Sequence, residues 1–96
     1  MEALLIVDMQ NSCFENTIRY RANNVISNIN GLAAAFRGFS RPVMHIQHED
    51  ETEDFQSSSH GWEINPDIHT AATDHFVSKT RCDAFIGTDL ANLLNN

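Results

Sequence analysis

Ala3-Leu4-Leu5-Ile6-Val7 is an unbroken apolar run that ends on Asp8. Uniform apolarity, without the alternation of a half-wet strand, predicts a strand buried on both faces of a parallel sheet. After it, residues 9–20 turn polar and read as a loop with Phe14 as its apolar anchor. From Ala22 to Arg37 the pattern becomes helical. Val25, Ile29, Leu32 and Phe36 recur at spacings of one turn, Ile26 and Ala33 widen the stripe, and Gly38 is placed to stop the helix. Pro42-Val43-Met44-His45-Ile46-Gln47 reads as the second strand, with proline allowed at its start. Strand, crossover helix and strand make a right-handed βαβ unit.

Residues 48–74 form a long polar connection, acidic first and then serine-rich, with Trp62, Ile64 and Ile68 available to pin it down. Connections of this length are usually functional or mobile. His75-Phe76-Val77-Ser78-Lys79 reads as a third strand. Ala84-Phe85-Ile86 is apolar, and Thr88 is placed to cap a last helix whose inner face is Leu90, Leu93 and Leu94. The expected fold is therefore α/β, a Rossmann-like parallel sheet with flanking helices, of about three strands. Residues 1–96 read as one domain, without a repeat or a linker.

Composition narrows the function classes. A chain of 96 residues fits one small domain. Its net charge of −7, with scattered basic residues, argues against a nucleic-acid surface. No apolar run is long enough to span a membrane, and no basic flank precedes the first one, so neither membrane nor secretion is expected. Cys13 and Cys82 lie far apart and form no metal or redox pair. A cytoplasmic protein with reduced thiols is the expectation.

In open parallel sheets, ligands bind beyond the carboxyl ends of the strands. Asp8, His48 and Lys79 fall at three such ends. An aspartate there also serves as a turn residue, and a lysine as a surface charge. If the two converge in one cleft, each shifts the other's protonation and prepares acid–base chemistry.

Three ordered segments carry a resemblance. Leu4-Leu5-Ile6-Val7-Asp8-Met9-Gln10-Asn11 with Phe14 resembles the opening signature of the isochorismatase-like cysteine hydrolases. Val43 to His48, then Phe55, Ser58, His60-Gly61-Trp62-Glu63-Ile64 and Pro66, is similar to that family's middle segment. Lys79, Asp83-Ala84-Phe85, Gly87-Thr88-Asp89-Leu90 and Leu93-Leu94 resemble the segment around its lysine. The resemblance implies a doubly wound parallel sheet and hydrolysis of a small amide or related carbonyl compound through an Asp–Lys–Cys triad. Asp8 would take the thiol proton and Lys79 would steady the anionic partners. A thiolate made in this way attacks the carbonyl, which the thiol itself does poorly. Phe14, His48 and Trp62 are the candidate substrate-binding residues, and no cofactor is implied.

The family's cysteine lies after a further strand, beyond the segment matching Thr88 to Leu94. Cys13 and Cys82 do not match its position, so this chain alone is expected to be an inactive, truncated hydrolase domain. In true isochorismatases, which cleave a vinyl ether, the equivalent aspartate acts as an acid without the cysteine, but Asp8 would still need a closed pocket. His45, His48, Glu49, Asp50 and His60 cluster in sequence, yet His48-Glu49-Asp50 does not reproduce the Asp-x-His metal pair of the related nicotinamidases. No metal is expected, and His45 reads as a satisfied core residue. The alternative reading is a degenerate domain that serves as an interaction or assembly module. A small-molecule substrate once the domain is completed, and a homo-oligomer or a complementing chain, are the expected partners. An uncovered first strand would invite pairing, and the faces around Leu32 and Leu93 would lack cover.

Overall fold

The structure, a computed structural model, describes residues 2–15, 22–80 and 90–94. In chain order the elements are β1 (Leu4–Val7), α1 (Asn11–Glu15), α2 (Ala22–Gly38), β2 (Val43–His48), β3 (His75–Lys79) and α3 (Leu90–Leu94). The strands form one sheet in the order β1-β2-β3. Both pairings are parallel, with Leu4 opposite Val43 and Met44 opposite His75. The middle strand β2 is buried along almost its whole length, His45 and Gln47 included, because a strand lies on each side of it. By contrast β1, whose unbroken apolar run predicts burial on both faces, is buried only at Ile6.

The two faces of the sheet are covered by different helices. On one face Ile6, Ala33 and Val43 form a cluster with Leu4, Met9, Ile29 and Phe36. Ala33 is fully buried there, and its small side chain lets α2 lie close to the sheet. On the other face Met44, Ile46, Val77 and Leu90 pack together, with Leu93 and Leu94 of α3 against them. Helices on both sides of a parallel sheet are the doubly wound arrangement. Among the described residues no helix is long and apolar enough to cross a membrane.

The structure corrects several local expectations. Residues 11–15 are helical, not loop. The first amides of α1 find acceptors far away in sequence, from Asn11 N–H to the Glu63 carbonyl (2.9 Å) and from Ser12 N–H to the Gly61 carbonyl (3.1 Å). Those acceptors satisfy the orphan donors of a helix start and are invisible to local sequence. On α2 the sheet-facing line runs through Ile26, Ile29, Ala33 and Phe36, whereas Val25 and Leu32 are 41% and 52% exposed. They sit on the shoulder of the stripe. The helix also runs through Gly38. Arg41 N–H donates to the Phe36 carbonyl (2.8 Å) and Ser40 N–H to the Arg37 carbonyl (3.0 Å), the double closure of a Schellman motif. The left-handed residue in it is Ser40, at φ 56°. Residues 84–86 and the cap at Thr88 lie outside the described residues.

A buried polar cluster ties α2 to β2 and to the connection. Arg37 donates from Nε to Asp74 Oδ1 (2.9 Å) and from a terminal nitrogen to Oδ2 (2.6 Å). His45 Nε2 lies 2.8 Å from Asp74 Oδ2, and Ala71 N–H donates to the same oxygen. Burial pushes the Asp74 carboxyl up, but the hydrogen bonds from Arg37, His45 and Ala71 and the charge of Arg37 outweigh it and hold it at about 2. The same contact with Asp74 raises the Arg37 guanidinium. His45 is buried and stacks on Phe76 at 5.0 Å, with Nε2 satisfied and Nδ1 buried without a hydrogen bond.

Candidate active site

Asp8 ends β1. Its N–H still donates to the Ile46 carbonyl of β2 at 3.0 Å, and then the backbone turns left-handed, with φ 58°. Aspartate tolerates that region better than most residues, at a cost of about 1 kcal/mol. The turn takes the chain off the sheet at its carboxyl edge. Lys79, the last residue of β3, sits at the same edge with its side chain 7% exposed, and its Nζ lies 3.5 Å from Asp8 Oδ1. The strands carrying the two residues are not neighbours. The pair closes over the end of β2, which lies between them. Asp8 Oδ1 is buried and takes no hydrogen bond, so Lys79 is its ion-pair partner.

The run after Asp8 fastens the long connection to this edge. Gln10 is fully buried. Its Oε1 accepts from His48 N–H (2.8 Å), and its Nε2 donates to the carbonyls of His48 and Trp62, each at 2.8 Å. With β1 ended, the Gln10 side chain replaces the backbone partner that the last residue of β2 would otherwise lack. Asn11 Nδ2 donates to the His60 carbonyl, Ser12 Oγ donates to the Asp54 carbonyl, and Asn65 N–H donates to the Met9 carbonyl. Gly61 lies so close that a Cβ there would overlap Ser12 Oγ and the Asp54 carbonyl.

His48 pairs in register with Lys79, so both side chains leave the same face of the sheet. Its ring is partly open, with Nε2 2.9 Å from Asp50 Oδ2 and its plane edge-on to Phe55 at 5.1 Å. Asp50 Oδ1 in turn accepts from the hydroxyl and the N–H of Thr52. Those two bonds, with His48 beside them, hold the Asp50 carboxyl below the usual carboxylate range.

The other candidates are placed differently. Phe14 is half-buried on α1. Trp62 is half-buried, with its indole N–H buried and without a hydrogen bond. It lines a cavity of about 360 Å³ with Gln47, Ile64, Ile68 and Phe76, and neither Asp8 nor Lys79 lines that cavity. Cys13 is half-buried on α1, and Cys82 lies outside the described residues. Among the described residues no three His, Cys, Asp or Glu side chains are grouped to hold a metal ion. Sequence reasoning gave no role to Gln10, to Asp50 as the partner of His48, or to the pair of Arg37 and Asp74. Only Gln10 carried a signal, as part of the run Asp8-Met9-Gln10-Asn11 after the first strand, and that run does not say what its side chain bonds to.

The Isochorismatase domain model matches residues 2–96. The chain belongs to the isochorismatase family. Its order of segments and its sheet agree with that membership. Among curated relatives it is 30% identical over 93 residues to YddQ, an uncharacterised isochorismatase family protein of Bacillus subtilis (strain 168), covering 92% of this chain and 52% of that one. It is 31% identical over 98 residues to streptothricin hydrolase of Streptomyces noursei, covering 99% of this chain and 35% of that one. A crystal structure of an isochorismatase family protein superposes with a TM-score of 0.88 at 32% identity, over 97% of this chain and 55% of that chain. The isochorismatase-like α/β fold is thus shared. The chain spans about half the length of one curated relative and about a third of the other.

Proposed function

We propose that these residues are the aspartate- and lysine-bearing portion of a hydrolase that opens a small amide or related carbonyl compound through an Asp–Lys–Cys triad. The observation that carries this reading is the convergence of Asp8 and Lys79 at 3.5 Å on the carboxyl edge of the sheet. Asp8 takes the proton of the cysteine thiol and later gives it to the leaving amine. Lys79 offsets the negative charge that Asp8, the thiolate and the oxyanion share. The thiolate attacks the carbonyl carbon, and water then releases the acyl group. His48, Phe14 and Trp62 stand on the substrate side in this reading. The cysteine comes from outside the segment described, in the rest of a longer chain or in a complementing one, so residues 1–96 alone do not turn over an amide.

The test uses the whole protein that contains these residues. Asp8→Asn and Lys79→Ala should each lower kcat/KM for an activated amide by at least about 100-fold, the lower range for removing a proton-transfer or charge-stabilising group. Full activity in Asp8→Asn, or thiol-dependent hydrolysis by residues 1–96 alone, would refute it.

A second reading is favoured by β1. It pairs only with β2 among the described residues, and Leu5 and Val7 are 37% and 43% exposed. An apolar edge strand of this kind fits an assembly module that joins a second copy or another chain. Unchanged assembly in Asp8→Asn, with no turnover in any form, would support that reading instead.

A further inference from the structure

The triad reading gives His48 a place beside the substrate but no part in the proton transfers, and gives its partner Asp50 none at all. We propose that His48 is a second proton-transfer group of this site, acting as the base for the water that releases the acyl group, with Asp50 as its positioning residue. The proposal rests on the hydrolase reading and adds a residue to it.

His48 ends the strand that lies between those of Asp8 and Lys79, and it shares a sheet face with Lys79. Its backbone is held on both polar atoms by Gln10. Its ring is held by Asp50 at Nε2 and by the edge contact with Phe55. A base oriented by a carboxylate, itself fixed by further hydrogen bonds, is the arrangement hydrolytic sites use to present one ring nitrogen. With Asp50 ionised, Nε2 carries the proton that it donates, and Nδ1 of the neutral ring is an acceptor. Nδ1 has no partner among the described residues, and the His48 side chain is 27% exposed, so water reaches it. Asp8 Oδ1 is engaged by Lys79 and buried, although the Asp8 side chain as a whole is 43% exposed, so the case for His48 rests on its orientation by Asp50 and its open Nδ1.

In the step proposed, the water oxygen bonds to the thioester carbonyl carbon while one water proton passes to His48 Nδ1. The carbonyl π pair moves onto oxygen. The adduct then collapses, the C–S bond breaks, and the departing thiolate takes the proton back from Nδ1. One water is consumed, a carboxylic acid leaves, and thiol and imidazole are restored.

The experiment is pre-steady-state hydrolysis of p-nitrophenyl acetate by the whole protein that carries these residues and the nucleophilic cysteine. In His48→Gln the burst of nitrophenolate should persist, turnover should fall about 100-fold, and intact mass should show an acetylated cysteine. In His48→Ala, added imidazole should restore turnover, which it would not do for a lost packing contact. Asp50→Asn should shift the pH midpoint of deacylation. Loss of burst and turnover together in His48→Gln, or unchanged turnover, overturns the role of His48 and leaves the triad standing. Absence of any Asp8-dependent burst in the wild-type protein overturns both.

Discussion

Ser40 holds a left-handed conformation in a position where glycine is usual. A side chain there costs more than glycine, which loses part of that advantage through its freer unfolded chain. Ser40→Gly should therefore stabilise the protein by about 0.5 kcal/mol, read as a higher urea midpoint with an unchanged slope. Asp74 points the other way. It is 1% exposed in its side chain and ties Arg37 of α2 to His45 of β2. Asp74→Asn keeps the volume but leaves Arg37 without its carboxylate, and should cost about 3 kcal/mol. Because its carboxyl sits at about 2 in the folded state, below the unfolded value of about 3.9, its contribution is complete above roughly pH 4 and drains as the pH falls towards 2. Acid titration of stability should show a loss of about 2 kcal/mol across that window that Asp74→Asn does not show.

At the scale of elements, the staple between α1 and the connection dominates. Gln10→Ala would leave the His48 carbonyl and N–H unsatisfied at the end of β2, while the Trp62 carbonyl keeps Gln47 Nε2 as a donor, and should destabilise by about 2 kcal/mol. Gly61→Ala should loosen the same staple by pushing Ser12 off Asp54, seen as faster amide exchange at Asn11 and Ser12. The strands and α2 were legible in sequence because apolar runs and helical spacing are local signals. His75 to Lys79 was read with its observed limits, and Ala22 was the observed start of α2. The short α1 was not legible, since its first two backbone amides, Asn11 and Ser12, are satisfied from far along the chain, by the carbonyls of Glu63 and Gly61. The site was half legible. Asp8, His48 and Lys79 stand at strand ends, where parallel-sheet rules direct attention, whereas Gln10 and Asp50 act through contacts that no spacing announces.

At the scale of the whole molecule, β1 pairs on one side only among the described residues. Leu4 and Asp8 turn their amides toward β2, and strand alternation then sends those of Leu5 and Val7 outward. Amide exchange at Leu5 and Val7 should be fast in residues 1–96 alone and slow in the whole protein; fast exchange in both would show that nothing pairs there. The position of β2 has a further meaning. Asp8 and Lys79 stand on strands two spacings apart, roughly 9.6 Å in the hydrogen-bonding direction, and only an inward-turned carboxylate and a long amine stem meet across that gap. The central strand therefore acts as a gauge block for the charge pair. Its own tolerance is set by Met44 and Ile46 on one face and by Val43 and His45 on the other. Mutations at those positions would change the span between Asp8 and Lys79 without altering either charged group.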